Sequence, residues 1–580
     1  MSFDTEVLII GGGMSGLGLA VQLIKKYGVR DFEIIEKSDD VGGTWLANTY
    51  PGCGCDVASH FYSYSFALNP DWTRKYSMRP EIQQYFRSVA EQYKILENVR
   101  FQSFVEKAIW DELSETWVVT IKDQKTKERI TRRAKIVISA VGALSVPKEC
   151  DTPGAESFEG PIFHSAKWDH SFDWQNKDVV VIGNGCSATQ FVPIMSGGPK
   201  ATKQLTQFAR QSHWLSEREN PYYSSTFKKL MRYVPLAMRL YRAKLYWDME
   251  KDFAGFNIQS GRNIRADLVK TNQEYVKRVA PKKYWDVLIP KTEIGCKRKV
   301  LDTDYLACLH RPNVELVATD PIDEITPSGV RTKSGREVKA DAIVLAIGFA
   351  TSQLLFPMDI RGKNGISLNK HWDSESQGVA QAYFGTCVPG FPNFFIMMGP
   401  NTTTGHLSVI YTVECQINFT LSLIEPIIKT LPSYRSRSIL PSLLLFNPVP
   451  SVVEVKPEAA RLDSAWTQLE CKKLVWSSGC TNWAMDPKTG MNIMMYPDWQ
   501  FLYWWRSIFY KKQDFVYTEA KSGKEVKPWS PSPLGLVARV AAVGLLVSSG
   551  LFAAGVLDRD AVEDGAKHLI ASAKELVKWR

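Results

Sequence analysis

Two dinucleotide-binding units within one α/β chain are predicted by two glycine-rich turns and by the apolar runs that feed them. The first turn, Gly11-Gly12-Gly13-Met14-Ser15-Gly16, follows Val7-Leu8-Ile9-Ile10; the second, Gly183-Asn184-Gly185-Cys186-Ser187-Ala188, follows Val179-Val180-Val181-Ile182. A short apolar run that ends in such a turn and continues at helical spacing is how a parallel strand hands over to a helix in a doubly wound sheet. The 580 residues supply material for more than one core, and a mainly helical insertion and a C-terminal apolar helix complete the predicted fold class.

The first unit reads as strand, helix, strand: Val7–Ile10, then Ser15 through Lys26, then Asp31 to Glu36. Leu17, Ala20, Val21 and Ile24 fall on one helical face, suited to covering a parallel sheet. Trp110 to Ile121 alternates like a hairpin, and Ile136 to Gly142 reads as a further strand. Asp178 opens the second unit, which resumes at Asn313–Val317 and closes near Asp341–Phe349. Between them, a polar, aromatic and basic stretch from about Ser216 to Pro290 has mostly helical periodicity, as in Phe227 to Met249. Phe391 to Pro400 reads as a last strand returning to the first unit, followed by a helix near Val413 to Ile424.

Charge and cysteine usage narrow the class. The net charge of +10 comes without a block of lysines and arginines, so no nucleic-acid partner is expected. The ten cysteines are scattered and Cys53 and Cys55 are one residue apart, which gives neither a metal spacing nor a redox Cys-x-x-Cys pair; free thiols in a reducing cytosol are expected, and no metal.

The chemistry of the turns can be read directly. Gly11, Gly13 and Gly16 allow a tight bend and close approach of a pyrophosphate to free N–H groups at a helix start. Glu36, twenty residues past Gly16, is placed to bind an adenosine ribose and would repel a 2′-phosphate, so the first site suits FAD or NAD rather than NADP. The second turn, Gly183, Asn184, Gly185, Ser187, Ala188 and Thr189, is followed by Phe208-Ala209-Arg210 with no acid at the equivalent place. A guanidinium there can grip a 2′-phosphate through two charge-assisted hydrogen bonds, which makes Arg210 the choice for NADPH.

Between the turns lies Phe158-x-Gly160-x-x-x-His164-x-x-x-Trp168-Asp169. Set between two such units, it resembles the fingerprint of the type I Baeyer–Villiger monooxygenases, within the wider flavin-containing (class B) monooxygenases. The resemblance implies FAD in the first unit, NADPH in the second, and insertion of one oxygen from O2 beside the carbonyl of a ketone to give an ester or lactone. It further implies Thr44, Trp45, Asp56 and Tyr62 at the flavin and active centre, from Gly42-Gly43-Thr44-Trp45 and Cys55-Asp56. In Gly295-Cys296-Lys297-Arg298-Lys299-Val300-Leu301-Asp302 it gives Arg298 the catalytic role beside Asp56 and sets Lys297 near the NADPH phosphate. A fixed charge at Arg298 would stabilise negative charge growing on the carbonyl oxygen. The fingerprint is taken as a hinge, with His164 ordering it rather than acting as an acid or base.

The implied organisation is an FAD-binding domain in two parts, 1–150 and within 385–530, a linker at 151–177, an NADPH-binding domain at 178–215 and 291–384, and the insertion at 216–290. Val540 to Leu557 runs eighteen residues without a charge. With a basic flank of Lys521, Lys524, Lys527 and Arg539 on its N-terminal side, the segment 534–557 is a candidate transmembrane helix anchoring a cytosolic catalytic body. An apolar ketone would suit such an enzyme. Alternatives are a flavin monooxygenase that oxidises nitrogen or sulfur, and a membrane-tethered flavoprotein that does not oxygenate; a disulfide reductase of the same plan would need a cysteine pair at its centre.

Overall fold

The computed structural model describes residues 3–351, 353–435, 450–520 and 522–527. The chain divides into two compact units, Met1–Arg437 with Val453–Val516, and Ser438–Val452 with Tyr517–Arg580. The described part of the second unit is short, and within it Tyr517 pairs antiparallel with Val526 and Thr518 with Glu525. Both predicted nucleotide sheets lie in the first.

β1 (Thr5–Ile10) leads through the first glycine turn into α1 (Met14–Tyr27) and on to β2 (Phe32–Ile35), which lies parallel to β1 with Val7 opposite Phe32. Val7, Leu8 and Ile9 are fully buried because both faces of the strand are covered, each contributing about 1.5–3 kcal/mol of apolar burial. Helix α1 stops at Gly28, whose φ of 67° provides the left-handed closing residue. The predicted hairpin is two strands, β3 (Ser103–Asp111) and β4 (Thr116–Asp123), followed by β5 (Arg129–Ser139). The first half of β5 pairs antiparallel with β4, and its second half runs parallel to β1. Its burial changes accordingly, from alternating and half-exposed to continuous over Ala134–Ser139.

The second sheet is wholly parallel and five-stranded among the described residues. Its edge strand, β6 (Ile162–His164), comes from the fingerprint segment itself; then follow β7 (Asp178–Ile182), α2 (Cys186–Met195) and β8 (Gln204–Phe208). Between Ser216 and Pro290 lie helices α3 (Ser225–Tyr233), α4 (Ala237–Glu250) and α5 (Arg262–Val279). The sheet is completed by β9 (Val314–Val317) and β10 (Ala342–Leu345), in the order β9-β8-β7-β10-β6. β11 (Phe394–Ile396) then returns to the first sheet beside the end of β5, and α6 (Val409–Ile428) packs on α1.

Two expectations are corrected. Cys296 and Cys480, 184 residues apart, form a disulfide with Cα atoms 6.3 Å apart, so not every cysteine is a free thiol; their separation in sequence concealed the pairing. The membrane-spanning helix is withdrawn, because among the described residues no helix is long and apolar enough to cross a membrane. The segment 534–557, on which that expectation rested, lies outside the described residues.

Candidate active site

The first turn is built for close approach. A Cβ at Gly11, where φ is 110°, would stand 2.7 Å from the Ala140 carbonyl oxygen, and one at Gly16 would stand 2.0 Å from that of Gly11. Gly13 caps α1 without a side-chain hydrogen bond, which leaves the N-terminal N–H groups of a 14-residue helix facing the turn. Glu36 is buried at the end of β2, its carboxylate accepting from the Gly12 N–H at 2.6 Å and the Ser38 N–H at 2.8 Å. These residues fit a pyrophosphate on the helix and a ribose on the acid. Thr44 opens a short helix, Thr44–Ala47, beside the turn. Trp45 is buried in it and donates from Nε1 to the Tyr62 hydroxyl at 3.1 Å. Burial raises the Tyr62 phenol well above its ordinary value, so it stays a neutral hydrogen-bonding group.

The second turn repeats the geometry. Gly183 has φ 110°, and a Cβ there would meet the Ala346 carbonyl oxygen at 2.4 Å. Gly185 caps α2, on which Ser187 is half-buried and Ala188 and Thr189 are buried. Asn184 donates through Nδ2 to the Gln211 carbonyl at 2.8 Å. Arg210 stands exposed just past β8, and Lys297 donates to the Gln211 side-chain oxygen. Burial, and next the Arg210 charge, lower the Lys297 ammonium from its ordinary value. His213 is pushed down to about 4 by burial and then by Lys297. Two like charges held together at the end of a parallel strand fit a doubly charged phosphate, which would relieve their repulsion. His213 and Gln211 belong to this cluster, although no spacing in the sequence singled them out.

Asp56 and Arg298, 242 residues apart, meet in a two-point ion pair, with Nε to Oδ2 at 3.0 Å and Nη2 to Oδ1 at 2.9 Å. Both side chains retain partial exposure, 23% for Arg298 and 32% for Asp56. The Asp56 charge raises the Arg298 guanidinium above its ordinary value against the effect of burial, which fixes it as a permanent cation. Gln190 of α2 reaches the loop bearing Asp56: it donates to the Gly54 carbonyl at 3.0 Å and accepts from the Tyr50 hydroxyl at 2.9 Å. The segment carrying Arg298 is tied in turn by the Cys296–Cys480 bond two residues away.

The fingerprint residues stand apart from this pair in their bonding. His164 accepts at Nδ1 from the Ala166 N–H at 3.0 Å, and its Nε2 lies 3.1 Å from the Gly348 carbonyl, to which it donates. Burial lowers its pKa. Trp168 is buried against Phe163 and Phe191, with ring centroids 5.2 and 5.3 Å away, so it joins β6 to α2. Asp169 accepts from the N–H and hydroxyl of Ser171 at 2.9 and 2.6 Å. A Cβ on Gly160 would clash with the Asp341 carbonyl oxygen at 2.5 Å and with the Phe158 ring. The contacts of these residues order the crossing between the sheets.

Known proteins are similar to this chain in sequence and in fold. Residues 4–254 match the family model described as flavin-binding monooxygenase-like. A Baeyer-Villiger monooxygenase of Pseudomonas aeruginosa is 34% identical over 504 residues, which cover 86% of this chain and 88% of that protein. Among solved structures, the closed form of cyclohexanone monooxygenase superposes with a TM-score of 0.74 at 22% identity, covering 90% of this chain and 100% of that one. A structure of OTEMO in complex with FAD and NADP gives a TM-score of 0.72 at 25% identity, covering 89% of this chain and 100% of its own.

Proposed function

Because the chain belongs to the flavin-binding monooxygenase family that includes the proteins named Baeyer-Villiger monooxygenase, we propose that it inserts one oxygen atom from O2 beside a ketone carbonyl to give an ester or lactone. It is an NADPH-dependent flavoprotein monooxygenase with FAD and NADPH as cofactors. FAD, when bound, supplies the oxygen chemistry; the chain supplies position and charge.

The observation that supports the ketone reading is the two-point pair of Arg298 with Asp56. Opposing carboxylate and hydrogen bonds hold the guanidinium in one orientation. Its third nitrogen, Nη1, is absent from that pairing and can donate to a carbonyl oxygen as negative charge develops there. A lysine would supply the charge without the planar fork. We assign FAD to Gly11, Gly13, Gly16, Glu36, Thr44, Trp45 and Tyr62. NADPH is assigned to Gly183, Asn184, Gly185, Ser187, Ala188 and Thr189, with its 2′-phosphate on Arg210 and Lys297. The segments 1–150 and 385–530 would then form the FAD domain around an NADPH domain at 178–215 and 291–384.

The test is turnover with NADPH and 18O2 on a panel of cyclic and long-chain ketones, with thioethers run separately. An ester or lactone carrying one labelled oxygen is expected. Labelled S-oxide with no ester from any ketone would overturn the ketone reading. An apolar ketone is the substrate class proposed, and turnover confined to small water-soluble cyclic ketones would contradict it.

A further inference from the structure

Arg218 stands beside Asp56 without entering the ion pair. Its Nη2 donates to the Cys55 carbonyl at 3.0 Å, and its guanidinium lies over the Tyr76 ring, 5.0 Å from the centroid. Its buried Nε has no hydrogen-bond partner among the described residues. Burial lowers its pKa, and the Asp56 carboxylate opposes that shift.

The segment that presents Arg218 is fixed independently. Asn220 accepts from the Tyr76 N–H at 2.9 Å and donates to the Tyr76 carbonyl at 3.0 Å. The Lys75 N–H donates to the Pro221 carbonyl at 3.2 Å, and the Tyr223 N–H to that of Thr73 at 2.9 Å. One residue past Tyr76, the Ser77 carbonyl accepts from the Cys55 N–H at 3.0 Å. Cys55 is therefore held at both backbone groups, its N–H by Ser77 and its carbonyl, part of the peptide that begins Asp56, by Arg218. A half-buried guanidinium whose Nε is shut off from solvent is costly to keep unless what it touches needs it.

We propose that Arg218 is a positioning residue for the oxygen-inserting centre: by gripping the Cys55 carbonyl it fixes the peptide carrying Asp56, and so keeps the Asp56 carboxylate in register with the fork of Arg298. The proposal rests on the assignment of Arg298 and Asp56 to that centre. A planar guanidinium can lie on the Tyr76 ring and donate in its own plane at once, which an ammonium cannot reproduce.

The experiment uses the full-length holoenzyme with Arg218→Ala and Arg218→Lys, measuring flavin reduction by NADPH, oxygenated product per NADPH, hydrogen peroxide, and amide exchange across residues 53–58. For Arg218→Ala, flavin reduction is expected to continue while product per NADPH falls about fivefold or more, with the remainder appearing as peroxide. The amides after Cys55 should exchange faster. Added guanidinium ion should restore the product yield in a saturable way that sodium chloride at equal ionic strength does not. Arg218→Lys should show a smaller loss, and it decides the matter if the alanine variant fails to fold. Wild-type coupling in both variants, unchanged amide exchange, or a loss that guanidinium does not repair would overturn the proposal. Ketone and thioether are run in parallel. A wild type that makes only S-oxide would remove the ketone reading, while the partition between S-oxide and peroxide would still test Arg218.

Discussion

At the scale of single residues, the proposed roles separate charge that reacts from charge that binds. Among the described residues Arg210 enters no ion pair, and it is assigned to binding alone. Arg210→Gln is expected to raise the KM for NADPH by about 10- to 100-fold, the loss of roughly 1.5–3 kcal/mol from one charge-assisted contact. NADH kinetics should hardly change; an unaltered NADPH-to-NADH preference would remove Arg210 from the phosphate site. His60 shows the opposite case, a buried base whose Nε2 has no hydrogen-bond partner among the described residues, ringed by Tyr223, Phe227 and Tyr241. Burial, with the Arg242 charge, pushes its pKa down to about 4, so the folded protein holds it neutral. The unfolded chain binds its proton near the ordinary value of about 6.5. Stability from this group is complete above that value and is lost as pH falls from about 6.5 toward 4, by about 3 kcal/mol at most. Melting temperature measured across that window should fall less steeply in His60→Phe than in the wild type; parallel curves would contradict the assignment.

At the scale of elements, the two strand–turn–helix units were legible because their information is local. Four apolar residues, a glycine at φ 110° and a helix follow directly on one another in both units. The consequence is specific: Gly16→Ala places a Cβ 2.0 Å from the Gly11 carbonyl oxygen and should yield protein purified without flavin. Gly183→Ala should retain flavin but bind NADPH weakly. Flavin absorbance after purification separates the two, and a yellow Gly16→Ala protein would contradict the assignment of the first turn. Other elements were hidden for physical reasons. β6 has three residues between Pro161 and Ser165, too few for any period, and takes its strand character from pairing with β10. The first half of β5, Arg129 to Arg133, carries three arginines and no buried residue, so it lacks the apolar run by which its second half reads as a strand.

At the scale of the whole molecule, the centre depends on contacts that no local reading supplies. Asp56 lies past the first turn and Arg298 far beyond the second, and only the packed chain brings them within 3.0 Å; resemblance to a family placed both residues, whereas spacing alone would have left Arg298 in a basic loop. Gln190, Arg218 and the Cys296–Cys480 bond, which tie the same loops, carried no signal in the sequence at all. On the proposed assignment, the work divides between a reduction step, which needs the two nucleotide sites, and an oxygen-inserting step, which needs the pair. Rapid mixing of wild type and Arg298→Lys, first with NADPH and then with oxygen and a ketone, with product quantified by mass spectrometry, tests that division most directly. Flavin bleaching by NADPH in both proteins, with ester from the wild type and about 100-fold less from the variant, is the predicted result, a loss of about 2.7 kcal/mol in the oxygen-inserting step. Ester formation by Arg298→Lys at the wild-type rate would contradict it.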